Sequence, residues 1–391
     1  MKRIPEERQG QRYRHAMRRN LAVGLLVTIS ITSASATGAA PPGVTLTTLD
    51  SEGVVGLYPS IAIGVDGLPI IAYDDASSHA LKVARCNDIR CTSATLSVVD
   101  DTADGLFTSI AIGSDGLPII SYRADGAAGG LKVAHCLDAL CSAADLTVLD
   151  GAIGGTGGHT SIAVGVDGLP VISYHDGSDL DVAHCHDVAC TSATLRTVDS
   201  DGSAGKYSSI AIGSDGLPIV SYYQQTPSFD LEVAHCGDPS CATATIQTVE
   251  ESGTVGSYTS IAVGADGLPI VSYHDSTDEQ LKVAHCDDLQ CLSATLQVLD
   301  TGFVGRSDSS IAIRGNGQPV VSYHHDLEED LKVALCRDLE CSTFSLGTVD
   351  RKGDVGQFTS IAIGVDDHAV IAYHDVTNGD LKVAHVRLKK P

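Results

Sequence analysis

The chain runs to 391 residues, 43% apolar and 19% charged, with 40 Gly and no Trp, which is a globular composition. Its 25 Lys and Arg face 49 Asp and Glu; beyond residue 36 the balance is 18 basic to 47 acidic, a net charge of −29. That field repels the phosphates of nucleic acids and anionic lipids, so neither is an expected partner, whereas cations and basic surfaces are tolerated.

Residues 1–36 read as an export signal. Seven basic residues crowd the first nineteen positions, the apolar run "LAVGLLVTISI" follows from Leu21, and Ala34–Ala36 offers a small-residue cleavage site. The run is short for a membrane span, and no Cys stands near the cleavage point to take a lipid. An uncleaved anchor is the alternative, and Arg18-Arg19 leaves both Sec and twin-arginine export open. Residues 37–43 read as a linker, 44–387 as one repeat domain and 388–391 as a tail.

From Val44 onward the chain repeats itself. "SIAIGSDGLPIISY" from Ser109 returns as "SIAIGSDGLPIVSY" from Ser209, and the leading Ser recurs at Ser60, Ser109, Ser161, Ser209, Ser260, Ser310 and Ser360. A period near fifty points to a propeller or a solenoid. Each unit predicts four short strands: "SIAIG", "LPIISY", "LKVAHC" and "ATLSVVD", or their equivalents. Asp-Gly joins the first two strands in five units, a dipeptide whose two residues both tolerate positive φ. No segment carries helical periodicity over three turns. The longest connection links the fourth strand to the next "SIA", which places "SIAIG" innermost and "ATLSVVD" outermost in each blade.

The two ends of the repeat domain complement each other. Val44–Asp50 is an outer-type strand with no blade before it, and the last unit stops after Leu381–Val386 without an outer strand. The expected fold is therefore all-β: a seven-bladed β-propeller of four-stranded antiparallel blades, closed by the N-terminal strand completing the last blade. Closure removes both open sheet edges; an open solenoid would need polar caps, and none is apparent.

Twelve Cys form six C-x4-C pairs: Cys86 with Cys91, Cys136 with Cys141, Cys185 with Cys190, Cys236 with Cys241, Cys286 with Cys291 and Cys336 with Cys341. In an exported chain this even, regular spacing predicts disulfides across the hairpin of the third and fourth strands. The rival reading takes His135, Cys136, Asp138 and Cys141 as metal ligands. Neighbouring strand residues point to opposite faces, and each turn supplies two thiols where zinc wants four ligands together, so disulfides are expected. The seventh unit lacks both Cys, as a blade assembled from two termini would.

Two constellations fall on the face that carries the variable loops and crossings, where functional diversity generally sits. After the recurrent Tyr come His175-Asp176, His274-Asp275, His324-His325-Asp326 and His374-Asp375. Converging from several blades they could bind a cation or move protons; equally, the Asp opens a turn and the His is a polar strand end. Two residues before each "SI" stand Tyr58, Phe107, His159, Tyr207, Tyr258, Asp308 and Phe358. These could stack on sugars or peptides, or pack between blades. The carboxylates ending the outer strands (Asp50, Asp100, Asp150, Asp199, Glu250, Asp300, Asp350) read as a solvated acidic rim. Calcium is the one cofactor left open, although no loop has its regular oxygen-ligand spacing.

The units resemble those of bacterial secreted repeat proteins whose repeats read approximately S-I-A-x-D-x-x-G-x-P-x-I-S-Y-x-D, relatives of the BNR/Asp-box, sialidase-like propellers. The likeness covers Val44 to Val386, with departures: Asp and Gly are adjacent in "GSDGLP", and the Asp-box Trp is absent. A sialidase-like enzyme would imply three Arg around a substrate carboxylate, a Tyr nucleophile and an acidic partner. Arg123, Arg306 and Arg314 occupy unrelated positions in their units and make no such triad. The expectation is a secreted or periplasmic monomer, a non-catalytic scaffold binding a glycan or a protein on the variable-loop face. A glycoside hydrolase or polysaccharide lyase is the alternative.

Overall fold

A computed structural model describes residues 43–125, 129–151, 158–303, 305 and 308–388. The expected export signal, all of the expected linker but Gly43, the end of the expected tail and Arg306 lie outside these residues. The described chain is built from seven four-stranded antiparallel sheets. Blade one spans Val55–Asp100, blade two Leu106–Asp150, blade three Gly158–Asp199, blade four Lys206–Glu250, blade five Val255–Thr301 and blade six Ser309–Asp350. Blade seven takes three strands from Val355–Val386 and its outer strand from Val44–Asp50, in the register Val44↔Val386 and Leu46↔Ala384. The closure expected from the two chain ends is the one found. Leu388, the first residue of the expected tail, is buried in the seam between blades six and seven.

The recurrent phrase is explained strand by strand. The inner strand would leave backbone N–H groups unpaired at its channel edge, a costly loss when buried. The Ser of each "SIA" answers this for the next blade: Ser60 Oγ accepts from the Ile110 N–H at 3.1 Å, Ser109 from Ile162 and Ser161 from Ile210. The series continues round the disc until Ser360 accepts from Ile61 at 3.2 Å. The second and third strands are buried on both faces, so "PIISY" and "LKVAHC" read as near-continuous apolar runs. Outer strands are half exposed and alternate.

The apolar residues gather into seven cores, one per seam between neighbouring blades; Ile70 and Val83 of blade one, for instance, pack with Ile120 and Ala134 of blade two.

All six C-x4-C pairs are disulfides: Cys86 to Cys91, Cys136 to Cys141, Cys185 to Cys190, Cys236 to Cys241, Cys286 to Cys291 and Cys336 to Cys341. Each bridge spans the turn between the third and fourth strands, as expected. The first Cys of each pair ends the third strand, but the second never reaches the fourth. Cys91, Cys141, Cys190, Cys241, Cys291 and Cys341 lie in the loop, ahead of outer strands that begin at Ala94, Ala144, Ala193, Ala244, Ala294 and Phe344. Each of these six takes positive φ, 49° to 55°, a conformation L-residues seldom adopt. The physical reason is reach: five residues apart, the two Cα atoms must come within 4.8–4.9 Å, so the chain coils back before it can extend. The Asp inside each bridged loop caps that coil: Asp138 Oδ1 accepts the Leu140 and Ser142 N–H groups. It serves the turn rather than a metal.

One expectation about turns needs correction. In the Asp-Gly hairpins only Gly takes positive φ (Gly67 at 81°, Gly116 at 82°), while Asp keeps the ordinary sign. The Gly67 N–H returns to the Gly64 carbonyl and the Gly64 N–H to the Leu68 carbonyl, a longer turn than the two-residue type. Asp belongs there because its carboxylate caps the Leu68 N–H at 3.1 Å.

Candidate functional site: the channel mouth

The inner strands converge at the axis, and where the chain enters them the pairing slips. In blade one the register breaks between Leu57 and Ser60, and the same break recurs between Leu106 and Ser109 and between Lys206 and Ser209. Such a bulge turns one side chain away from its sheet. That side chain is the ring residue: Tyr58, Phe107, His159, Tyr207, Tyr258 and Phe358 all have φ between 48° and 55°. A left-handed backbone costs an L-residue about 1–2 kcal/mol, and bulky side chains seldom adopt it. Six aromatics doing so at one level of the molecule is a concentration of strain of the kind found at ligand clamps.

The strain is held by the neighbouring blade. Ser208 Oγ donates to the His159 carbonyl at 2.8 Å, Thr259 Oγ1 to that of Tyr207 at 2.8 Å, and Ser309 Oγ to that of Tyr258 at 3.2 Å. The rings stand 4.3–4.6 Å apart, centroid to centroid, from Phe358 through Tyr58, Phe107, His159 and Tyr207 to Tyr258. Their planes turn by 43–59° from one to the next, close to the step between neighbouring blades of a seven-fold disc. They overlap like the leaves of an iris. Asp308 interrupts the series, its Oδ2 accepting the Phe358 N–H at 2.8 Å. The mouth encloses about 180 Å³, rimmed also by the hydroxyls of Thr108, Ser208 and Thr259.

The His–Asp motifs go elsewhere. Asp176 and Asp275 cap the loop after the second strand, each accepting two backbone N–H groups at 2.7–3.0 Å. Asp375 does the same for Asn378, and its other oxygen lies 3.4 Å from Lys382 Nζ. The His side chains point the other way, to the crossings. His175 Nδ1 donates to the Ala204 carbonyl at 2.8 Å, and His374 Nδ1 to that of Val55 at 2.9 Å. His274 Nδ1 meets Ser276 Oγ at 3.2 Å, and His324 Nε2 meets Asp354 at 3.2 Å. In blade six, His325 replaces the capping Asp, its Nδ1 accepting the Glu328 N–H, and Asp326 moves one place along the loop. Burial lowers the pKa of His175, His274 and His374, so they are neutral near pH 7. No His is brought to its sequence-adjacent Asp as a dyad. Among the described residues, no three His, Cys, Asp or Glu side chains converge as a metal site.

The acidic rim requires the largest correction. Asp50, Asp100, Asp199 and Asp350 are not solvated; each is at most 8% exposed. They accept the hydroxyl of the recurrent Tyr of the next blade in sequence: Tyr73 to Asp50 at 2.7 Å, Tyr122 to Asp100 at 2.6 Å, Tyr373 to Asp350 at 2.8 Å. The Lys of "LKV" reaches the same carboxylate, as Lys132 does to Asp100 and Lys382 to Asp350. Burial alone raises the carboxyl pKa, but at Asp100 the Lys132 ammonium and the Thr102 and Tyr122 hydroxyls prevail and hold it at about 2. Acid, Tyr and Lys recur at the same fifty-residue period, which was the signal for this clamp.

No family model matches the chain, and no curated protein matches it. Solved structures share its fold. An ulvan lyase of a new polysaccharide lyase family superposes with a TM-score of 0.58 at 12% identity, over 86% of this chain and 93% of that one. A protein of unknown function from Dyadobacter fermentans gives 0.55 at 11% identity, over 89% and 100%. The periplasmic gluconolactonase of Pseudomonas aeruginosa gives 0.53 at 13%, over 75% and 88%. At such identities the likeness is one of fold, and the fold is the propeller that the repeat resemblance implied.

Proposed function

We propose that the chain is an exported binding propeller whose ligand, the terminal unit of a glycan, seats in the aromatic mouth. The observation that carries this reading is the ring of six half-exposed aromatics held at positive φ around an open cavity. Aromatic edges beside hydroxyls and one carboxylate suit a polyhydroxylated group. Pockets that enclose drug-sized ligands run to ~300–1,000 Å³; at about 180 Å³ the mouth takes one end of a chain rather than its length. The six bridges suit an oxidising compartment, in keeping with export.

Charge narrows the class. Ulvan, the substrate named for one fold neighbour, presents uronate and sulfate in the bound fragment; a chain of net charge −29 beyond residue 36 disfavours such polyanions and tolerates neutral or amino sugars. A second reading, glycan cleavage at the same mouth, is favoured by Asp308 standing among His159 and the ring tyrosines as an acid–base group.

The test is a neutral and amino-glycan array probed with the wild type, Tyr207→Ala and Asp308→Asn. Retention of a glycan that Tyr207→Ala weakens at least tenfold, with melting unchanged within a few degrees, supports binding at the mouth. No retention, or retention indifferent to both substitutions, overturns it. Release of shortened glycan by the wild type but not by Asp308→Asn converts the reading to the second.

A further inference from the structure

The clamp is not the same in every blade, and the exceptions point to a ligand. Opposite the recurrent Tyr, five blades carry Lys: Tyr73↔Lys82, Tyr122↔Lys132, Tyr273↔Lys282, Tyr323↔Lys332 and Tyr373↔Lys382. In each the ammonium lies on the carboxylate at or next to the end of the preceding outer strand. In three it also stands 3.4 Å from the Asp two residues beyond the Tyr. Blades three and four keep the Tyr and the carboxylate but replace the cation with a second acid, in Tyr174↔Asp181 and Tyr222↔Glu232.

Blade four shows what the exchange leaves behind. Tyr222 donates to Asp199 Oδ2 at 2.8 Å as in its neighbours. Glu232, now opposite Tyr222, accepts Thr248 Oγ1 at 3.3 Å with one oxygen, while its buried Oε2 meets no donor. Gln224 stands two residues beyond Tyr222, on the same face of the strand, where other blades place the Asp that approaches the ammonium. It is 2% exposed, and its amide nitrogen is committed to the Asp201 carbonyl. That commitment fixes which end of the amide remains, and the buried Oε1 also has no donor. Oxygens of Asp199, Glu232 and Gln224 line the place of the missing ammonium, with the Tyr222 hydroxyl shared between the two acids. A buried acceptor left without a donor costs about 1–3 kcal/mol, more when charged, so two such groups on one face of neighbouring strands point to an occupant. Blade three carries the same exchange: Asp181 is 8% exposed, accepts Tyr174 at 3.3 Å and stands opposite Thr197, whose hydroxyl serves it.

We propose that blade four binds a divalent cation of the calcium class in place of the lysine ammonium, through Asp199, Glu232 and the amide oxygen of Gln224. Carboxylate and amide oxygens completed by water are the donor set such an ion takes. The cation does for this seam what a Lys side chain does for five others.

The experiment follows from that equivalence. The full chain is stripped with chelator and titrated with calcium chloride at neutral pH by calorimetry, and its melting is followed alongside. Binding should raise the melting temperature by a few degrees at saturating calcium. Glu232→Lys installs the residue that five blades already carry; its stoichiometry should fall by one, and in chelator it should melt at least as high as the calcium-loaded wild type. Gln224→Ala, a milder change, should weaken calcium at least tenfold. A wild type indifferent to calcium overturns the proposal, as does an undiminished response in both variants. Stabilisation by methylammonium or by acid, without one by calcium, also overturns it, in favour of a partner's lysine or a shared proton.

Discussion

Two rings of side chains lie toward the same face of the disc, repeated at the same period, and they differ in every physical respect. The outer ring joins Tyr, carboxylate and Lys in buried contacts, with Tyr73, Tyr122 and Tyr373 fully covered. Its backbone is ordinary, and in five blades its charges are paired. The inner ring is half-buried, built on six left-handed aromatics, and opens on a cavity. Repetition therefore does not separate scaffold from site. Strain joined to exposure does, on the proposed reading: the bridged Cys are equally left-handed but buried, whereas the ring residues stay half-exposed around a cavity. The comparison predicts that changes in the outer ring cost stability and spare binding, and that changes in the inner ring do the reverse.

The largest effect should follow Asp100→Ala. It strands the Lys132 ammonium, 8% exposed, and the Tyr122 hydroxyl with nothing to receive them. Breaking a buried pair from one side costs about 3–5 kcal/mol, which thermal or urea melts resolve easily. The same clamp sets an acid limit. With its folded pKa depressed to about 2, Asp100 contributes stability fully present above its ordinary value of 3.8 and lost as pH falls toward 2. A variant that melts like the wild type would leave the outer ring with no stabilising role.

Much of this was legible in the letters. The period, the four strands, the missing seventh Cys pair and the orphan outer strand together specify a closed ring, because each is a local pattern or a count. The pairing of Cys91 with Cys86 was legible for the same reason, whereas the coiled loop that Cys91 occupies follows from a backbone angle no letter displays. The clamp was harder, since Asp50, Tyr73 and Lys82 lie on three strands of two blades and meet only once the disc is closed. Read singly, an acid at a strand end is a rim residue; read with the Tyr and Lys that keep its period, it is half of a buried pair. The aromatic ring was visible as a column of types, but its backbone was not. Tyr58 or Phe358 in a bulge looks like any residue entering a strand, and the left-handed turn comes from a register break against the second strand.

Between the rings sits Asp74, which blade one places where blades three, five, six and seven place His. It accepts the Gly105 N–H at 3.0 Å and is 1% exposed. Burial raises its carboxyl from 3.8 to about 7, helped by the Asp104 and Asp75 charges and opposed by the Gly105 N–H and His79. The sign is opposite to that at Asp100. A raised folded pKa gives stability that is present below about 4 and lost as pH rises through 7. Asp74→Asn keeps an acceptor for Gly105 without the charge, so it should match the wild type at pH 4 and exceed it at pH 8 by roughly 2–4 kcal/mol. Equal pH profiles would mean that Asp74 stays ionised through some other compensation.

The smallest effect is the one that isolates the strain. At Tyr207, φ 54°, Gly adopts the backbone freely whereas Ala carries the same left-handed penalty as Tyr. Both substitutions remove the ring that packs against His159 and Tyr258, so that loss cancels between them. At an ordinary strand position Ala would be the more stable by roughly 0.5–1 kcal/mol, because Gly loses more freedom on folding. Here the order should invert, with Tyr207→Gly melting above Tyr207→Ala by a margin worth about 1 kcal/mol, and neither retaining ligand. If Ala proves the more stable, the bulge is not strained, and the feature that distinguishes the mouth from the clamp is lost.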